Sequence, residues 1–177
     1  IFINSPKLDG EISIKSDNIL VENCIIRNFN QWGVIIQNAQ NSTVNNCHIY
    51  SMGAGGVKLG NETRSFNLVN ENNLVSNCEI YDIAFDQKSQ VPAITLSGNG
   101  NSARNNEIYN TPHFAVKMKY ANNCITEKNY IHDLPKYHRF DGGAVYLATG
   151  NQFFNRGNKI AHNLSLIHIS EPTRHRR

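Results

Sequence analysis

Titratable side chains are concentrated in residues 131–141, which read "IHDLPKYHRFD" and hold two histidines, two aspartates, one lysine and one arginine. The charges then stop at Gly142, Gly143 and Ala144, which lead into a strand-like Val-Tyr-Leu segment. Histidine and aspartate are residue types that transfer protons in general acid–base catalysis. Small residues beside such groups leave room for a ligand. The segment therefore predicts a loop at the edge of a binding groove, positioned by strands elsewhere in the chain.

An internal repeat supplies those strands. A motif of the form apolar-x-polar-(Cys/Asn)-x-Ile begins at residues 21, 44, 75, 103 and 126, with a degenerate copy at 160. A second motif, a small residue followed by a β-branched one, any residue and a large apolar one, follows each full copy at 32–36, 55–59, 92–96, 114–118 and 143–147. The shortest interval, 23 residues, is too short for helix-pair solenoids. It predicts a parallel β-helix whose coils stack about 4.8 Å apart, with asparagines in left-handed conformations at its corners.

Strand alternation predicts which side chains point into the solenoid. The inward ladders are expected to be Cys24, Cys47, Cys78, Asn106 and Asn129; Ile26, Ile49, Ile80, Ile108 and Ile131; and Val34, Val57, Ile94, Val116 and Val145. The outward columns are expected to be Ile35, Lys58, Thr95, Lys117 and Tyr146, and Arg27, Tyr50, Tyr81, Tyr109 and His132. Metal-site spacings such as Cys-x-x-Cys are absent, so the cysteines, with Cys124 also buried, are interpreted as small core residues.

Two coils carry six extra residues at the same position, between the first motif and the second. The separation is 10 residues for the pairs 24–34, 47–57 and 106–116, and 16 for 78–94 and 129–145. The insertions, 83–91 and 134–142, should overhang one edge of the solenoid, with the coil of residues 110–118 as a floor between them. Insertions on one face of a repeat protein often form its binding face. The predicted groove collects the side chains of Asp82, Asp86, Lys88, Asp133, His138, Arg139 and Asp141 around His113, Lys117 and Tyr146, with Ala93, Ala115 and Ala144 leaving room for a ligand.

Some of these residues also have a purely structural interpretation. Asp82 and Asp133 suit corner positions, where their side chains cap turns. Lys58 suits a solvated ladder. His132 and Tyr109 suit a stacked surface column, although His132 is also a candidate for binding substrate.

The end of the chain does not continue the repeat. Its segment "LSLIHISEPTR" at 164–174 resembles the translated reading frame of a transposon-derived sequencing adapter. We therefore expect a β-helix domain over residues 1–163, truncated at both ends, and a non-native tail over residues 164–177. Without the three arginines and one glutamate of the tail, the formal net charge falls from +3 to +1. We expect no nucleic-acid partner, because no basic stripe remains, and no membrane span, because no apolar run reaches roughly 18 residues.

Three short motifs resemble a known group of proteins. "IHD" at 131–133, "DGGAVY" at 141–146 and "RGN" at 156–158 occur in the order seen in right-handed parallel β-helix proteins that include polysaccharide-degrading glycoside hydrolases. The segments 92–101 and 112–116 fit the same pattern.

This resemblance covers nearly all of residues 20–163. It implies an all-β fold, a right-handed parallel β-helix of about five to six coils, and a carbohydrate-active protein with Asp141 at the position of a characteristic acid. One departure is that the group usually carries Gly-Arg-Asp-Trp before its Arg-Gly-Asn, whereas "LATGNQFFN" at 147–155 contains neither an acid nor a tryptophan.

Three functions remain open at this stage. The first-ranked is a polysaccharide-acting glycoside hydrolase with paired carboxylates, for which Asp141, Asp86 and His113 are the catalytic candidates. The second is a polysaccharide lyase or epimerase, with Lys117 or His113 as base and Arg139 or Ca²⁺ neutralising a uronate carboxylate. The third is a non-catalytic carbohydrate-binding or adhesive β-helix.

The remaining expectations are shared by all three functions. The partner is a polysaccharide or oligosaccharide, and the chain is a monomer that is secreted or resides in the cell envelope. No cofactor is expected apart from Ca²⁺ in the lyase, and no resident metal site. The substrate-binding candidates are Lys117, Tyr146, Arg139, His138, His132 and Lys88.

Overall fold

The fold is a solenoid of short parallel strands. The computed structural model describes residues 2–4, 10–61, 68–87, 89–134, 142–148 and 155–166. Within these residues all regular elements are β-strands, and each pairs in parallel with strands of the neighbouring coils. No helix long and apolar enough to cross a membrane is found in this part of the chain.

The strands form three sheets that run along the solenoid. Sheet A contains β1 (Phe2–Asn4), β4 (Ile25–Arg27), β7 (His48–Tyr50), β10 (Glu79–Tyr81), β13 (Glu107–Tyr109), β16 (Tyr130–His132) and β19 (Leu164–Leu166). Sheet B contains β2 (Ile12–Ile14), β5 (Val34–Ile36), β8 (Val57–Leu59), β11 (Pro92–Asn99), β14 (Phe114–Asn122) and β17 (Gly143–Ala148). Sheet C contains β3 (Leu20–Glu22), β6 (Thr43–Asn45), β9 (Leu74–Ser76), β12 (Ser102–Arg104), β15 (Ile125–Glu127) and β18 (Lys159–Ala161).

Each coil passes from sheet C to sheet A and then to sheet B. Strands β3 to β17 make five complete coils among the described residues, with partial coils before and after them. The expected parallel β-helix and its register are therefore confirmed. The sixth copy of the repeat also takes part, since β18 pairs with β15 and β19 pairs with β16.

One left-handed residue makes the corner between sheets C and A in every coil. These residues are Asn23, Asn46, Asn77, Asn105, Lys128 and His162, with φ between 49° and 56°. Asparagine is favoured because its short polar side chain tolerates this conformation. The next residue points inward, and where it is asparagine it bonds to the adjacent coil: Asn129 Oδ1 accepts a hydrogen bond from the backbone N–H of Asn106 at 3.0 Å.

The core consists of the predicted inward ladders. The isoleucine ladder from Ile26 to Ile131 is fully buried, and the Cys/Asn ladder from Cys24 to Asn129 is buried in every coil. Val145, in the last strand of sheet B, is only partly buried. The four cysteines are buried free thiols, as expected for core residues. Burial raises the pKa of the Cys124 thiol to about 12.

The outer face of sheet A carries the predicted column of rings. Tyr50, Tyr81, Tyr109 and His132 stack with ring centroids 5.0, 4.8 and 4.9 Å apart and interplanar angles of 12° or less. Because each ring covers the face of the next, these rings present mainly their edges to solvent. The structure therefore favours the interpretation of this column as a stacked surface ladder.

Candidate functional site

Both insertions lie at the corner that leads from sheet A to sheet B. The first follows β10 and precedes β11, and the second follows β16 and precedes β17. Residues 135–141 of the second insertion lie outside the described residues. In the first insertion, the backbone N–H groups of Phe85 and Asp86 donate to the carbonyl oxygens of Met52 and Gly53, both at 3.1 Å. This insertion is thus bonded to the preceding coil, on the side away from the second insertion.

Sheet B presents an outward ladder beside these insertions. Register pairing aligns Ser13, Ile35, Lys58, Thr95, Lys117 and Tyr146 across six strands. The described part of this ladder contains two lysines and no carboxylate. Lys58 and Lys117 flank Thr95, whose side chain points outward but is buried. The described ladder therefore places two cationic side chains along the solenoid axis, one on each side of Thr95.

Lys117 is held between the first insertion and the last strand of sheet B. Its Nζ donates to the carbonyl oxygen of Gln90 at 3.2 Å and lies 3.4 Å from Gln90 Oε1. The same Nζ lies 5.9 Å from the centroid of the Tyr146 ring, within the range of a cation–π contact. These contacts place an ammonium group and a phenol side by side at the surface of the groove. Gln90 also contacts this site, and nothing in the repeat pattern predicts that it does.

An aromatic wall adjoins this pair. The rings of Phe114 and Tyr146 stack with centroids 4.3 Å apart and planes inclined by 4°. Tyr146 is 40% exposed, whereas Phe114 is buried. A pocket of about 410 Å³ opens here between Gln90, Phe114, Tyr146 and the Gly142–Gly143 pair. The space for a ligand thus lies at the two glycines, and not at Ala93 and Ala115, which are fully buried.

His113 lies beneath this wall. Its side chain is buried, and its ring packs edge-on against Phe114 with a centroid distance of 3.8 Å. Its carbonyl oxygen accepts a hydrogen bond from Gly143 N–H at 3.2 Å. In this arrangement the imidazole supports the wall from below and does not reach the surface of the groove.

The other predicted site residues are distributed over the molecule or fall outside the described ranges. Asp141, Arg139, His138 and Lys88 lie outside the described residues. Asp86 is exposed on the insertion that bonds to the preceding coil. Asp82 and Asp133 directly follow β10 and β16 of sheet A in left-handed conformations, with φ of 46° and 51°, in agreement with their interpretation as corner residues.

His132 is on sheet A and does not join Lys117 and Tyr146 on sheet B. Its ring nitrogens lie 2.7 Å from Asp133 Oδ2 and 3.1 Å from Glu107 Oε1. Partial burial lowers the pKa of His132, but the hydrogen bonds and charges of the two carboxylates outweigh it, so that the pKa is raised overall. The imidazole thus bridges two carboxylates at the edge of the ring column. No group of three or more acidic, histidine or cysteine side chains is arranged to hold a metal within the described residues, and the calcium expected for a lyase remains a prediction.

Comparisons with known proteins agree with the fold. The family described as "Right handed beta helix region" matches residues 3–99. A search of curated proteins finds no match. Among solved structures, the periplasmic alginate epimerase AlgG superposes with a TM-score of 0.61 at 14% sequence identity over 94% of this chain and 43% of the enzyme. A mutant of the same enzyme gives a TM-score of 0.59 at 16% identity over 88% of this chain and 41% of the enzyme. The chain thus spans less than half the length of these structures, and the likeness concerns the fold.

Proposed function

We propose that this chain, which belongs to the right-handed β-helix family, binds an acidic polysaccharide along sheet B and acts on its uronate residues as an epimerase or lyase. The observation that carries the proposal is the outward ladder of sheet B, where Lys58 and Lys117 flank Thr95 and Tyr146 follows. Two ammonium groups along one axis complement the repeated carboxylates of a polyuronate. AlgG, which shares the fold, is an alginate epimerase.

The chemistry common to both reactions begins with removal of the C5 proton, next to the uronate carboxylate. This step creates negative charge on the carboxylate oxygens, and a fixed positive group nearby lowers its barrier. We assign that role to Lys117, and the contacts of its ammonium group with Gln90 and Tyr146 support the assignment. Return of a proton to the opposite face of C5 gives the epimer. Loss of the C4 glycosidic oxygen instead gives a chain end with a C4–C5 double bond.

Tyr146 is the second candidate for the reaction. Its ring is half exposed beside Lys117, and its face is fixed by Phe114. A phenol can serve as acid or base when it is held against the substrate. His113, which was also a candidate base, lies beneath Phe114 and would position this wall rather than meet the substrate.

A glycoside hydrolase, the function ranked first from the sequence alone, needs two carboxylates that flank the scissile bond. The described outward ladder of sheet B offers no carboxylate, and Asp86 bonds toward the preceding coil. We therefore rank the epimerase or lyase above the hydrolase. The hydrolase retains one specific candidate, Asp141, whose position in "DGGAVY" resembles that of an acid in β-helix hydrolases.

The test uses alginate, polygalacturonate and a neutral glucan as substrates in deuterated water. Deuterium at C5 without chain cleavage identifies an epimerase, unsaturated chain ends identify a lyase, and new reducing ends without unsaturation identify a hydrolase. For an epimerase or lyase, Lys117→Gln should lower kcat/KM by about a hundredfold or more, the scale of losing one preorganised charge-stabilising donor. Lys15→Gln, which removes the same charge from an exposed position outside the ladder, is the matched control and should leave kcat/KM unchanged.

Two outcomes would overturn the proposal. One is cleavage of neutral glucan with no reaction on either polyuronate. The other is a Lys117→Gln variant with the full activity of the parent chain. If the products are those of a hydrolase, Asp141→Asn should lower turnover by about a hundredfold while the fold is kept. The paired-carboxylate hydrolase mechanism would then replace the epimerase or lyase mechanism.

A further inference from the structure

A second concave site lies on the outer face of sheet C, on a different side of the solenoid from the groove of sheet B. Its volume is about 390 Å³, within the rough range of 300–1,000 Å³ of small-ligand sites. It arises because one coil contributes small residues between larger ones: Gly100 stands where the two adjacent coils have Asn72 and Asn123. Ser102 likewise stands in register between Leu74 and Ile125. We call this site the sheet C notch.

The notch has two apolar walls and a polar floor. Leu74 and Ile125 belong to the coils on either side, so their backbones are separated by two strand spacings, about 9.6 Å. Ser102 forms the floor and is 9% exposed. Within the described residues the Ser102 hydroxyl has no hydrogen-bond partner, so it is available to a ligand. Amides at the rim and aliphatic walls facing each other suit a ring with an apolar face and hydroxyl groups at its edge.

Arg104 gives the notch a positive end. Its Nη1 lies 3.4 Å from Glu127 Oε1, while Lys159 Nζ binds Glu127 Oε2 at 3.0 Å. Two cations therefore share one carboxylate. The Arg104 side chain is 39% exposed. Because a guanidinium group carries five donors in a planar fork, donors other than the Nη1 hydrogen directed at Glu127 can bind a second carboxylate.

We propose that the sheet C notch is a second saccharide subsite, which holds one uronate residue with its ring between Leu74 and Ile125 and its carboxylate at Arg104. The choice of a uronate rests on the proposed function of sheet B, whereas the notch itself requires only a ring with an anionic substituent. Such a subsite would hold a polysaccharide chain on the protein away from the catalytic groove.

Binding can be measured separately from catalysis. Trigalacturonate, trimannuronate and neutral maltotriose are titrated into the ¹⁵N-labelled protein, and the amide resonances of Gly100, Ser102 and Arg104 are followed. An acidic trimer should shift these resonances, and Arg104→Gln should weaken its binding at the notch by about fivefold or more, as expected for an ion pair worth roughly 1 kcal/mol. Lys15→Gln removes one positive charge from an exposed position outside the notch, and should alter the affinity less than twofold.

A filling variant tests the cavity itself. Ser102→Leu should abolish binding of the trimers at the notch, and its circular dichroism and melting temperature show whether it is folded. The inference is overturned if the acidic trimers leave the notch resonances unmoved. It is also overturned if maltotriose binds at the notch as tightly as the acidic trimers do and Arg104→Gln weakens the binding of neither. Lys117→Gln separates the two proposals, because it should lose turnover and keep binding at the notch. If the parent chain binds the acidic trimers at the notch but turns over no polyuronate, only the proposed function is contradicted.

Discussion

The inward asparagine ladder provides a direct test of what stabilises the coils. Asn129→Ala removes four side-chain hydrogen bonds between adjacent coils. Asn129 Oδ1 accepts from Asn106 N–H and from Asn106 Nδ2, both at 3.0 Å. Its Nδ2 donates to Ala103 O at 3.1 Å and to Asn163 Oδ1 at 2.9 Å. Asn106 and Asn129 are both 1% exposed, so water cannot replace these bonds without entering the core.

The size of the effect follows from the groups left without partners. Removing the Asn129 side chain leaves the Asn106 N–H, the Asn106 amide and the Ala103 carbonyl short of a bond inside the solenoid. Each buried group left unsatisfied costs about 1–3 kcal/mol. Allowing for relaxation, we expect the free energy of unfolding to fall by about 3–5 kcal/mol, a large fraction of the roughly 5–15 kcal/mol of a typical domain.

The assay is equilibrium unfolding in urea, with Asn45→Ala as the matched control. Asn45 also lies beside the corner and makes three side-chain hydrogen bonds, to Glu22, Ser76 and Asn77. It lies on the outer face, where water can replace these bonds, so we expect a loss below about 1 kcal/mol. Equal losses of unfolding free energy in the two variants would refute the reasoning, because burial would then not determine how much the asparagine hydrogen bonds stabilise the fold.

Two further predictions concern the end of the chain and pH. Deleting residues 167–177 should leave the melting temperature unchanged. Deleting residues 164–177 also removes β19, which pairs with β16, and should lower the melting temperature slightly. A large loss of melting temperature from the shorter deletion would show that the deleted residues contribute to the fold. Because the folded-state pKa of His132 is raised, its protonation stabilises the fold below the unfolded pKa of about 6.5, and this contribution is lost as pH rises through the folded pKa. The difference in unfolding free energy between the parent chain and His132→Gln, measured by urea unfolding, should therefore shrink between about pH 5.5 and pH 8.5. A difference that does not change with pH would contradict the role of the two carboxylates that contact His132.

The fold was predictable because each coil repeats the same local physics. The left-handed corner residue, the inward Cys/Asn and the inward isoleucine recur at fixed separations, and these separations translate directly into the register of sheets A and C. Tertiary context changed only details, such as the burial of Thr95 between Lys58 and Lys117.

The candidate site was less predictable, because the insertions do not repeat. Nothing in the sequence indicates that residues 84–87 bond to the preceding coil, which moves Asp86 away from the second insertion. Stacking of Phe114 on Tyr146 and fixing of Lys117 by Gln90 depend on side-chain directions that a register alone does not give. His132, also a candidate for binding substrate, lies on β16 in sheet A, and the sequence does not show that the turn after β16 separates it from the ladder of sheet B.

Differences among the three corners explain why sheet B carries the groove. The corner between sheets C and A never varies: the inward residues 21 and 26, and their equivalents up to 126 and 131, are always five apart. An insertion there would displace both the left-handed residue and the inward Cys/Asn, and so break the hydrogen-bonded ladder. The corner between sheets B and C does vary, from nine residues between Ile94 and Ala103 to eighteen between Val57 and Val75. Sheet B is therefore bounded on both sides by corners that accept insertions, which lets its surface diversify without loss of the ladder that stabilises the solenoid.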